Sequence, residues 1–227
     1  MALYYAAPMV VLLLQIADEP DRLQGSEVVQ QLTPVAVGLL AVLGVMLLAS
    51  LFVGSLKVIH VARIQREQRR FRRRLGAATT AEELATASGE GEPGARVLRA
   101  MIQRVDRGPV GPEELGGVAL QAITEEERQA SNLLPILTGV ASTGPLMGLL
   151  GTVWGIIEAF LALDQSRSSA INVVAPAMAG ALLTTALGLL AAIPALLCLQ
   201  FAERRTNDLV AELEAAAQTW VGVLLGR

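Results

Sequence analysis

Three charge-free runs dominate the pattern of polar and apolar positions along this chain. The first lies between Glu27 and Lys57, the second runs from Gln129 to Ile157, and the third from Ser168 to Ala202. At about 1.5 Å of rise per helical residue, each is long enough to cross a hydrocarbon core of roughly 30 Å. The pattern therefore predicts membrane helices over 32–57, 131–163 and 173–201. The rest of the chain is organised around two of them, Leu133 to Leu163 and Val173 to Phe201, each of which carries hydroxyls among small residues. The link between them, 164–172, begins with the short polar Asp164-Gln165-Ser166-Arg167, so these two spans are expected to form a hairpin with a small outer loop.

The other segments change period. In 58–130, Val97, Leu98, Met101, Ile102 and Val105, then Leu115, Val118, Leu120, Ala122 and Ile123, fall at helical spacing, with Pro109, Gly111 and Pro112 marking a break. In 202–227, Leu209, Leu213, Ala216, Trp220 and Val223 make one apolar stripe against a mostly acidic remainder, which predicts an amphipathic tail helix. The acidic face makes packing on other helices the better expectation than binding to a membrane surface. The fold class expected is an all-α integral membrane protein whose three transmembrane helices extend into a cytoplasmic helical bundle. Residues 1–31 read as an outer-side segment: 1–17 carry no charge, and Asp18, Glu19, Pro20 and Asp21 follow. A retained interfacial helix and a cleaved signal both fit, although a basic leading region is missing.

Composition supports this picture. Of 227 residues, 53% are hydrophobic and only 17% charged, too apolar and too clustered for an ordinary soluble domain. The net charge of -3 matters less than its distribution. Immediately after the first span come Lys57, Arg63, Arg66, Arg69, Arg70, Arg72, Arg73 and Arg74, opposed only by Glu67. A basic cluster abutting a membrane helix is more often a topology determinant and headgroup contact than a nucleic-acid patch. Glu203, Arg204 and Arg205 end the third span in the same way, so both clusters place the N-terminus outside and the C-terminus in the cytoplasm.

The candidate chemistry is sparse. Cys198 is the single cysteine and sits in an apolar run, and His60 is the single histidine, expected to pack at a helix end. There is no metal-ligand spacing, no nucleophile beside a base and no phosphate loop, so neither enzyme activity nor a metal or cofactor is expected. What stands out is two lean helix faces. Ala141, Pro145, Gly148, Thr152, Gly155 and Ala159 share one face of the second span; Val174, Met178, Ala181, Thr185, Gly188 and Ala192 share one face of the third. Small faces let helix backbones approach closely, and a membrane threonine commonly bonds its own backbone. The same faces would also leave a narrow, weakly polar lumen if several copies surrounded another helix.

The blocks GPLMGLLGTVWGII and ALLTTALGLLAAIP, in this order on these two spans, resemble the MotA/TolQ/ExbB proton channel family, closest to its TolQ and ExbB branch. The resemblance implies an inner-membrane subunit with a periplasmic N-terminus. It further implies five copies ringed around a dimer of a single-span TolR- or ExbD-like partner, whose intramembrane aspartate carries protons. Such an assembly couples the proton motive force to mechanical work on the envelope or to transport. By resemblance, Thr152 and Thr185 match the lumen threonines of the family, with Thr184 beside them on the proton path. Pro145, Gly148, Gly155, Met178, Ala181 and Gly188 would then pack along the pore face. A hydroxyl both donates and accepts, so it can serve either protonation state of a carboxyl group.

One departure is plain. The family pattern APxxAEAL reads APAMAGAL here, with Gly180 in place of a glutamate. Glu158 is a candidate proton entry, although at about 100° per residue it points away from Thr152 and an interfacial, hydrated carboxylate is the simpler account. Two rivals follow: a ring-forming membrane scaffold that conducts nothing, and a secondary transporter, disfavoured because three spans show no inverted repeat.

Overall fold

The computed structural model describes residues 33–75, 91–165 and 171–226. Among them are five helices: α1 (Pro34–Leu75), α2 (Pro93–Asp106), α3 (Pro112–Ser131), α4 (Leu134–Gln165) and α5 (Ile171–Leu224). No strand occurs among the described residues, and three of the helices are long and apolar enough to cross a membrane. The expectations for 1–31 and for most of the 164–172 loop lie outside the described residues.

Two of the helices are longer than a membrane needs. α1 has 42 residues and α5 has 54, so at 1.5 Å per residue they extend about 63 and 81 Å. α1 does not stop at Leu56 but continues through the arginine-rich run, and α5 passes through Glu203-Arg204-Arg205 into the tail. Nothing in either junction stops a helix: both are free of Gly and Pro, and Arg, Gln and Glu are good helix formers. His60 consequently sits in the middle of α1, exposed, and not at a helix end. The start of α1 follows from Thr33, whose side-chain oxygen accepts the Ala36 N–H at 3.4 Å, and from Pro34, whose missing N–H costs nothing in a first turn.

The described residues form two compact units, one running to Gly54 and including Ile136–Leu197, the other comprising Ser55–Pro135 and Cys198–Arg227. The second is a helical bundle with a core of large side chains. Phe71, Val97, Leu98, Met101, Leu115, Ile123, Leu213 and Trp220 are all buried together, and Phe71 meets Trp220 edge to face at 6.1 Å. The predicted stripes of α2, α3 and the tail supply most of it. Phe71, from the arginine-rich run, is the contribution the periodicity did not single out. At Gly94 the α2 backbone touches the Phe71 ring so closely that a Cβ there would lie 2.5 Å from Cε1. The Gly94 N–H donates to Gln68 Oε1 at 3.0 Å, and Arg96 donates both to Glu126 Oε1 at 2.5 Å and to Glu126 Oε2. Glu126 is buried, so that guanidinium is its compensation. The pairing also holds the Arg96 guanidinium above its ordinary value.

Between α3 and α4 the chain turns at Asn132 and Leu133. Leu133 takes a left-handed backbone conformation, φ 69°, which a leucine adopts only at a cost of about 1 kcal/mol.

Candidate functional site

The first unit is built from the apolar part of α1, most of α4 and the first half of α5. Many of its large apolar side chains face outward: Leu48, Phe52, Leu146, Phe160 and Leu182 are all more than three-fifths exposed. No soluble surface carries that much apolar area, whereas lipid or neighbouring helices cover it without cost.

Within this unit the tightest contact is the seam between α4 and α5. Gly144, Gly148, Gly151 and Gly155 form two successive small-xxx-small pairs on α4, and opposite them stand Ala181, Thr184, Gly188 and Ala192 of α5. A Cβ added at Gly144 would lie 3.1 Å from the Gly188 carbonyl oxygen. One at Gly148 would lie 3.0 Å from Thr185 Cα, and one at Gly155 would lie 2.5 Å from Ala181 Cβ. At Gly151 the added atom would run into the Thr184 hydroxyl. The backbones are therefore as close as glycine allows.

The lean faces expected from the sequence are rotated by roughly 40° from this seam, at 100° per residue. Gly148, Gly155 and Ala159 on α4, with Ala181, Gly188 and Ala192 on α5, are buried in it. Ala141, Pro145 and Thr152 stand half-buried on one rim of α4; Val174 and Thr185 are half-buried and Met178 exposed on α5. The three threonines differ in consequence. Thr184 is 1% exposed, and its hydroxyl donates to the Ala181 carbonyl at 2.7 Å. Thr152 donates to the Leu149 carbonyl at 2.8 Å within its own helix. Thr185 instead reaches across and donates to the Gly148 carbonyl at 2.8 Å, tying α5 to α4. That bond exists because Gly148 has no side chain to shield its carbonyl.

Glu158 lies on the other side of α4, half-exposed, where it accepts the Trp154 indole N–H at 2.5 Å, one helical turn away. Gly180, at the family's glutamate position, is buried. Gly144, Gly151 and the structural part of Thr184 escaped the sequence reading. The pairing of Gly144 with Gly148 and of Gly151 with Gly155 was the signal available for them. Among the described residues no group of three or more metal-binding side chains comes together.

Comparison with known proteins gives the family. The Tol-Pal system protein TolQ of Haemophilus influenzae is 44% identical over 86 residues, 38% of each chain. The TolQ of Pseudomonas aeruginosa is 39% identical over 103 residues, 45% of each chain. The biopolymer transport protein ExbB of Xanthomonas campestris pv. campestris is 36% identical over 97 residues, 43% of this chain and 38% of the relative. Each match thus spans less than half the length of the relative. Residues 90–215, more than half of the chain, with all of α4 and α5 as far as Ala215, match one family as a whole. With its three long apolar helices, this multipass inner-membrane protein belongs to the MotA/TolQ/ExbB proton channel family.

Proposed function

We propose that this chain is the ring-forming subunit of a proton-driven motor, working around a single-span partner that supplies the titrating aspartate. Its N-terminus is periplasmic and its C-terminus cytoplasmic, an orientation supported by the basic residues after α1's apolar stretch and by Arg204 and Arg205 after that of α5. Five copies surround a TolR- or ExbD-like pair, and the ring energises envelope work or transport without itself being an enzyme. The supporting observation is the position of Thr152 and Thr185 on the rim of a seam that Thr184 fills. A side chain buried between two helices of one protomer is spent on packing, whereas a rim hydroxyl remains available to a further helix.

Both rim hydroxyls place their one proton on a backbone carbonyl, so what they offer outward is lone pairs. That arrangement suits a neutral carboxylic acid, which must donate. When the acid loses its proton, Thr185 can leave the Gly148 carbonyl and donate to the carboxylate instead, loosening the tie between α5 and α4. The two protonation states of the partner are thereby read as two states of the hairpin. In this assignment Thr152 and Thr185 are the pathway residues, and Pro145 and Met178 line the same rim. Thr184, Gly148, Gly155, Ala181 and Gly188 hold the seam behind it. Glu158, tied to Trp154 on the far side of α4, serves the outer interface.

Gly180 favours the second reading, a ring that assembles but conducts nothing, because it removes a carboxylate that relatives carry in the membrane. Co-reconstitution with the partner in proteoliposomes separates the two. Proton flux that falls at least tenfold in Thr152→Val and Thr185→Val, with the ring still assembled, supports the motor. Flux absent from the unaltered complex supports the scaffold; flux present but unchanged in both variants takes the two threonines out of the pathway.

A further inference from the structure

We infer that the bundle unit carries a binding site for the phosphate of an anionic phospholipid, built on one face of α1. The inference rests on the topology proposed above, in which the Lys57 end of α1's apolar stretch meets the inner leaflet.

The site is a cavity of about 530 Å³ between α1, the start of α2 and the end of α3. That is within the range of small-ligand pockets. Lys57, His60, Arg63 and Glu67 enter it at spacings of three and four along α1, so one helical face presents them together. Lys57 is the unusual member. It is 3% exposed, and its ammonium donates to the Ala130 carbonyl at 2.9 Å with no carboxylate bonded to it among the described residues. An ammonium has three donors, and a buried charge with one neutral acceptor is costly until an anion completes it.

The nearby acids do not meet that need. Glu126 is taken by Arg96 through two hydrogen bonds. Lys57 and Arg63, with His60 between them, are left against the single carboxylate of Glu67. The cavity therefore favours an anion. Its mouth also carries apolar side chains that water does not favour: Leu56 is 44% exposed and Leu133 is 40% exposed. Leu133 is held there by its left-handed backbone, a strain that a glycine would avoid. A buried Lys57, an exposed Arg63 and exposed leucines on one cavity match a phosphodiester carrying acyl chains better than a freely soluble phosphate.

The test uses the purified full chain, stripped of lipid and re-exposed to phosphatidylglycerol or phosphatidylcholine, with bound lipid read by native mass spectrometry. Phosphatidylglycerol is expected to be retained in preference. Arg63 is exposed, so Arg63→Gln leaves the bundle folded and should weaken phosphatidylglycerol retention roughly five- to tenfold without changing phosphatidylcholine. Arg204→Gln, outside the cavity, should change neither. Equal retention of the two lipids, or indifference to Arg63→Gln, would overturn the site. Displacement of phosphatidylglycerol by inorganic phosphate at millimolar concentration would overturn the lipid assignment in favour of a soluble anion. None of the α4 and α5 hydroxyls touches this cavity. A failure here with threonine-dependent proton flux intact would sink the lipid site alone, and the reverse result would sink the motor alone.

Discussion

Thr184 and Thr185 are neighbours in sequence and opposites in environment, and a single added atom on the facing helix should reveal the difference. Gly148→Ala places a methyl 3.0 Å from Thr185 Cα and 3.2 Å from the Thr184 carbonyl oxygen, both backbone atoms that cannot rotate away. Overpacking of this kind costs about 1–3 kcal/mol. Thermal unfolding of the detergent-solubilised protein should show that loss for Gly148→Ala and none for Gly139→Ala, where the new methyl meets nothing within 4 Å. A second residue-scale expectation concerns Glu125, exposed on α3. Its carboxyl accepts from Arg128 at 2.9 and 2.8 Å and from Gln129 at 2.9 Å, and these bonds, Arg128 first, lower it to about 2. A depressed carboxyl stabilises the fold above its unfolded value near 4 and loses that contribution as pH falls toward 2. Titration of Glu125 by NMR should find its midpoint low, and Arg128→Ala should return it toward 4. Gly148, Gly155 and Gly188 of the seam were picked out from the sequence as small faces, whereas their neighbours Gly144 and Gly151 were not. Which threonine faces which way was not legible, because a rotation of about 40° separates a buried hydroxyl from a rim hydroxyl and hydrophobic periodicity fixes a face no better than that.

At the scale of elements, the bundle unit depends on two contacts that bring distant segments together. Trp220 is 3% exposed against Phe71, and Trp220→Ala should cost about 3–5 kcal/mol. Arg96→Ala should cost roughly 3 kcal/mol because it strands the buried Glu126 carboxylate. Adding Glu126→Gln to Arg96→Ala should recover part of that loss, since the stranded group is then neutral; chemical denaturation of the three variants is the check. The apolar stripes of α2 and the tail could be read from the chain, as could the break at Gly111-Pro112; on α3 Leu115 and Ile123 are buried as expected, but Leu120 is exposed and Ala119 is buried instead. The continuity of α1 and α5 could not be read, because hydropathy changes sharply at Lys57 and Glu203 while helix propensity does not. Segmenting by hydropathy cut each helix where only its solvent changed. The same cut left His60 and Lys57 looking like helix-end residues, when both lie inside α1 and line one cavity.

For the molecule as a whole, the exposed leucines and Phe160 around α4 and α5 call for lipid or partner helices on most sides, and under the proposed function the two rim threonines face the acidic helix of the partner. The motor assignment turns on that direction. It can be measured by disulfide cross-linking in the assembled complex, with Cys198→Ser removing the native thiol, single cysteines placed on α4 or α5, and one on the partner beside its membrane aspartate. Thr152→Cys and Thr185→Cys should each cross-link to the partner. Leu150→Cys, 49% exposed and about 160° round α4 from Thr152, should not. Cross-links from Leu150→Cys with none from either threonine position would mean that the rim faces lipid, and would contradict the account.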